Sequence, residues 1–100
     1  MIKHIALWRL NTPREGQTRE SMFATIRSAI ESQVGRIPGL VCAEVGLNFK
    51  QSDKALDVAI YTAFEDENAL AAYHAHPVHH ETRAKVDSFV ASSVFVDYVV

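Results

Sequence analysis

A chain of 100 residues, 48% hydrophobic and 22% charged, has room for one domain with a modest core, and this composition excludes disorder as the main description. Its ten lysines and arginines are scattered among 12 acidic residues for a net charge of −2, which excludes the concentrated positive field that nucleic-acid binding needs. No stretch approaches the ~20 apolar residues of a membrane span, no apolar leader precedes the first strand pattern, and the one cysteine, Cys42, has no internal disulfide partner, so the expectation is a cytoplasmic protein without nucleic-acid or membrane partners.

Residues 1–10 alternate as a strand does. Ile2, His4, Ala6, Trp8 and Leu10 project to one side, and Lys3, Ile5, Leu7 and Arg9 to the other, so both faces carry apolar residues. Asn11 to Gly16 is a loop by composition. From about Gln17 to Arg36, Met22, Phe23, Ile26, Ile30, Val34 and Ile37 recur at steps of three and four, which predicts a helix with Ala29 and Gln33 beside its stripe. Thr18 and Ser21 do not spell a capping box, so the start is placed loosely. Gly35 and Pro38-Gly39 end the helix.

Leu40–Asn48 reads as a second strand, with Val41, Ala43, Val45 and Leu47 on its apolar side. After a polar connection, Leu56–Phe64 reads as a third, with Leu56, Val58, Ile60, Thr62 and Phe64 on one side. Glu65-Asp66-Glu67-Asn68 opens a short helix to about His74, its acidic residues suiting the positive pole of the helix dipole. Pro77 suits the first turn of a new helix, which runs through Val78, Ala84 and Val86 to Phe89 and Val90. Ser93–Val100 closes the chain as a strand, with Val94, Val96, Tyr98 and Val100 opposite Phe95, Asp97 and Val99.

The order β-α-β-β-α-β predicts an α+β, ferredoxin-like protomer, an antiparallel sheet with helices on one face. Helices cover only one face, yet the first and last strands are apolar on both. Soluble monomers seldom leave such a patch open. The expected partner is therefore a second copy, in a two-fold homodimer whose facing sheets close into an α/β barrel.

Met1-Ile2-Lys3-His4-Ile5, Ile37-Pro38-Gly39-Leu40, Glu44-Val45-Gly46, Tyr73-His74-Ala75-His76-Pro77-Val78-His79 and Val96-Asp97-Tyr98 resemble the Dabb family, the stress-responsive dimeric A/B barrel proteins. The resemblance runs over nearly the whole chain and implies a single Dabb-like domain and a dimeric α/β barrel. It also implies a plant branch that closes a linear polyketide by an intramolecular aldol reaction, using a tyrosine and a histidine in the barrel pocket. On the motif those roles fall on Tyr73 and His79, with His4 as a further pocket residue. Other relatives of this barrel type include cofactor-free monooxygenases, haem-degrading enzymes and lactone isomerases, and the fold alone does not choose among them.

At these positions the chemistry is acid–base. His4 shares a strand side with Ala6 and Trp8, and an imidazole titrates near neutrality. Tyr73 can donate a hydrogen bond to a carbonyl oxygen, and His79 can take a proton from the adjacent carbon. Tyr73, His79 and His4 are thus the candidate catalytic residues of a cofactor-independent lyase, cyclase or isomerase. Trp8, Ala6 and His76 are candidates for binding a small apolar or aromatic ligand. The alternative is a non-catalytic stress-response binding or structural dimer, with His4 at a sheet–dimer boundary, Tyr73 packing a helix end and His79 at the surface; a minor alternative, implied by the resemblance, is a cofactor-free or haem-handling monooxygenase.

Two further signals count against cofactors. Gly16, Gly35, Gly39 and Gly46 make no phosphate-cradling loop, so no nucleotide cofactor is expected. His74, His76, His79 and His80 cluster, and His76 and His80 are an i,i+4 pair, but Pro77 makes His76 a cap and no third ligand is evident, so no metal is expected.

Overall fold

The computed structural model describes every residue from Met1 to Val100. Strands β1 (Ile2–Leu10), β2 (Leu40–Leu47), β3 (Val58–Phe64) and β4 (Val90–Val99) form one antiparallel sheet in the order β2-β3-β1-β4. Helices α1 (Arg19–Glu31), α2 (Glu67–Ala75) and α3 (Pro77–Val86) cover one face of this ferredoxin-like α+β fold, and a 3-10 turn, Asp87–Phe89, leads into β4. No helix is long and apolar enough to cross a membrane.

Alternation places Ile2 and Ala6 of β1 in the core. Ala6 packs with Ile26, Ala29 and Ile30 of α1, with Val45, Val58 and Ile60, and with Val86 of α3, while Ile2 packs with Ile37, Leu40, Phe64 and Tyr73. His4 and Trp8 share that helix-facing side by the same two-residue period. The other side, with Ile5, Leu7, Val94, Val96 and Tyr98, is uncovered, and Val94 and Val96 are 57% and 52% exposed.

Several boundaries differ from the periodicity, each for a local reason. Helix α1 starts at Arg19 because Thr18 and Ser21 do form a capping box, Ser21 supplying the reciprocal hydroxyl where a glutamate is more usual. It stops at Glu31 rather than Arg36, since the next residues tighten into turns and Gly35 takes φ +87°. In β2, Leu40 pairs with Phe64 and Cys42 with Ala63, so Val41, expected on the apolar side, is bulged outward and 44% exposed, and Leu40 takes the core position instead. Strand β3 begins at Val58, after Asp57 has used its carboxylate to accept the Leu10 N–H at 2.7 Å. Helix α3 ends at Val86, short of Phe89, because Asn11 binds the Phe89 and Ser88 carbonyls and draws the chain into the sheet. Strand β4 consequently starts at Val90, paired with Leu10 beyond a register shift.

The turn before β2 sets how closely α2 approaches. Gly39 has φ +85°, and a Cβ there would lie 2.5 Å from the Ala69 Cβ. Glycine meets both demands, left-handed backbone and no side chain against the helix.

Candidate active site

A cavity of about 420 Å³ lies between the helix-facing side of β1 and β4 and helices α2 and α3. It is walled by His4, Ala6 and Trp8 from β1, Tyr73 and His74 from α2, His79, Thr82 and Arg83 from α3, and Ser92 and Ser93 from β4. It therefore sits inside one protomer. The expected pocket in the barrel between two sheets is corrected by the side on which His4 falls: the residues alternating with it, Ile2 and Ala6, are buried against the helices.

In the β1–β4 register His4 stands opposite Asp97, and the His4 Nδ1–H donates to Asp97 Oδ1. A carboxylate only accepts, so this bond fixes the tautomer and leaves His4 Nε2 free to take a proton. The imidazole is also packed laterally. Its centroid is 5.6 Å from Phe95 and 6.2 Å from His74.

Across the cavity, Tyr73 and His79 pack ring on ring, with centroids 4.2 Å apart. His79 Nδ1 is buried and has no hydrogen-bond partner. Burial, followed by the nearby His74, Arg83 and His80, lowers the His79 pKa to about 4, so the ring is neutral at physiological pH.

The Tyr73 hydroxyl points elsewhere. It donates to Gln33 Oε1 at 3.1 Å, Gln33 Nε2 donates to Thr82 Oγ1 at 2.9 Å, and Thr82 donates to the Val78 carbonyl at 3.0 Å. Gln33 is fully buried. Burial also holds the Tyr73 phenol above its ordinary pKa, so the hydroxyl stays protonated and committed to this chain. A phenol already donating to Gln33 is not poised to donate to a ligand carbonyl.

Five of the six residues singled out from the sequence, His4, Ala6, Trp8, Tyr73 and His79, wall one cavity. His76 does not line it. Pro77 begins α3, and the His76 Nδ1 accepts the Val78 N–H at 3.0 Å as that helix's cap. No three His, Cys, Asp or Glu side chains converge as a set that could hold a metal ion. Asp97, Gln33, Thr82 and His74 complete the site and were not among those six candidates. The signal for Asp97 was available: once β1 and β4 pair with Ile2 opposite Val99, His4 falls opposite Asp97.

A structure from Bacteroides fragilis, described as a dimeric protein of unknown function with a ferredoxin-like fold, is similar at 27% identity and a TM-score of 0.84, covering 99% of this chain and 95% of that one. A dimeric ferredoxin-like protein from Thermobifida fusca is similar at 25% identity and a TM-score of 0.81, covering 99% and 90%. An Arabidopsis thaliana protein at 20% identity and a TM-score of 0.81, covering 100% and 95%, shares the fold. No curated protein matches the chain. The model of the stress responsive A/B barrel domain, Dabb, matches residues 2–100, and the chain belongs to that family.

Proposed function

We propose that this protein is a homodimer closed sheet to sheet, and that each protomer holds a small apolar or aromatic carbonyl compound in its cavity and moves a proton at the carbon beside the carbonyl. This is the chemistry of a cofactor-independent cyclase, lyase or isomerase. The observation carrying the reading is that one cavity holds an oriented imidazole, His4 on Asp97, and a second imidazole, His79, that burial keeps neutral.

In this reading His4 Nε2 takes the proton. The C–H bond breaks, and its electron pair moves into the carbonyl to give an enolate. His79, as the Nε2–H tautomer with Nδ1 turned into the protein, donates to the developing oxyanion, and a neutral imidazole can do this without itself being ionised. Tyr73 holds the His79 ring in place, and Ala6 and Trp8 supply apolar wall. The enolate then attacks a second carbonyl or is reprotonated elsewhere, which separates a cyclase from an isomerase. The dimer is supported by the uncovered sheet face and by the two relatives described as dimeric. A cytoplasmic setting suits Cys42, which is free and exposed.

The test is deuterium exchange in heavy water, followed by proton NMR, with acetophenone and benzylacetone as probes. Wild type is expected to speed loss of the α-proton signal above buffer, and His4→Ala to abolish that gain. Binding of either ketone without exchange makes the protein a non-catalytic ligand-binding dimer. Exchange that survives both His4→Ala and His79→Ala removes the assigned residues.

A further inference from the structure

We infer that His74 is the relay through which the cavity exchanges protons with solvent, an assignment that rests on the proton transfer proposed above. His74 lies in the last turn of α2, one residue after Tyr73, and its side chain is exposed. Its ring is 6.2 Å from that of His4 and 5.8 Å from that of His79, centroid to centroid and edge-on to both. It borders two spaces at once. One is the site cavity; the other, of about 380 Å³, lies along β4 and α2 and is also bordered by Glu67, Leu70, Asp97 and Val99.

A relay answers a need of the site. Once His4 Nε2 has taken the substrate proton, Nδ1 is occupied by Asp97 and the ring, whose side chain is only 17% exposed, must discharge by the same nitrogen. His79 is a poor receiver because its burial, with Arg83 nearby, disfavours its charged form. His74 is the adjacent imidazole that reaches solvent. Rings about 6 Å apart leave a gap that one water or a modest ring rotation spans. The N–H bond on His4 breaks, a new N–H bond forms on one nitrogen of His74, and the proton on its other nitrogen leaves to water. His4 returns to its neutral form and nothing is oxidised or reduced.

A histidine that merely closes α2 predicts no such traffic, and the two roles are separated with benzylacetone in heavy water. His74→Ala and His74→Gln are expected to slow exchange about tenfold or more, with kcat falling much further than KM for benzylacetone rises and with the melting temperature of wild type. Free imidazole added to His74→Ala is expected to restore the rate in proportion to its concentration, and to do nothing for His4→Ala. A wild-type rate in His74→Ala, or a loss that imidazole does not repair, overturns the relay while leaving the proposed function standing. No exchange by wild type takes down both, and is distinguished by appearing before any substitution.

Discussion

Asp97 of β4 accepts the Nδ1–H of His4 from β1 across a pairing in which the two residues stand opposite one another. The geometry orients the ring with a group that cannot donate back. Asp97→Asn removes that asymmetry, because an amide can donate as well as accept and so permits the other tautomer. The expected result is an exchange rate lower by about a hundredfold or more, with the helix content unchanged. The stability cost should stay near ~1 kcal/mol or less, since the pair sits partly exposed at an edge strand. An unaltered rate in Asp97→Asn would remove His4 from the role of base.

Tyr73→Phe tests the buried chain from Tyr73 through Gln33 to Thr82. The substitution keeps the ring against His79 but leaves Gln33 Oε1 without its donor in a fully buried place. A loss of about 1–3 kcal/mol in urea unfolding is expected, with an exchange rate reduced by less than the loss in His4→Ala. Gln33→Ala should cost more, because it opens a void and strands both Tyr73 and Thr82. Loss of exchange in Tyr73→Phe as deep as in His4→Ala would restore the phenol to direct contact with substrate.

The element order was legible because alternation and three-to-four spacing report which side of each segment is apolar. The cavity's side was not. Both sides of β1 carry apolar residues, so only the packing of Ile2 and Ala6 against the helices tells which face His4 and Trp8 share. Gln33 looked like a residue beside a helical stripe, yet the helix stops at Glu31 and the turn delivers its amide to the interior. His76 as a cap was readable from Pro77, whereas Asp97 needed a pairing between strands far apart in sequence. Long-range register is set by tertiary contacts, which local patterns do not report.

The neutral state of His79 makes stability pH-dependent. Its folded pKa of about 4 lies below the ordinary value of 6.5, so the unfolded chain binds more protons between those values. Stability contributed by this group is therefore intact above pH 6.5 and is lost as pH falls towards 4, by about 1 kcal/mol after allowing for its partial exposure. Urea midpoints measured across that window should fall more steeply with acid for wild type than for His79→Gln. Parallel curves would mean that the ring is not held neutral by burial.

Gly39 carries two separable demands, and a pair of substitutions tells them apart. Gly39→Ala puts a Cβ on a backbone at φ +85° and within 2.5 Å of the Ala69 Cβ. The left-handed backbone costs about 1–2 kcal/mol, and the overlap adds about 1–3 kcal/mol. Adding Ala69→Gly should relieve the overlap and leave the backbone cost. In a double-mutant cycle the second change, destabilising on its own in the first turn of α2, becomes less so in the Gly39→Ala background. Simple additivity of the two melting-temperature losses would show that α2 moves aside instead.

Val96 tests the sheet-to-sheet dimer. It pairs with Ile5 in the β1–β4 register and is 52% exposed on the face without helices, so one protomer tolerates a carboxylate there. In a two-fold dimer closed on this face, Val96→Asp buries two charges by symmetry, each without a partner and each costing several kcal/mol. Native mass spectrometry should give twice the chain mass for wild type and the single chain for Val96→Asp, with circular dichroism alike for both. If Val96→Asp remains a dimer, the open face is not the interface. If wild type is a monomer, the apolar strip on β4 needs another cover. The cavity, built within one protomer, would keep its His4–Asp97 pair in either case, so exchange by the monomeric variant separates assembly from chemistry.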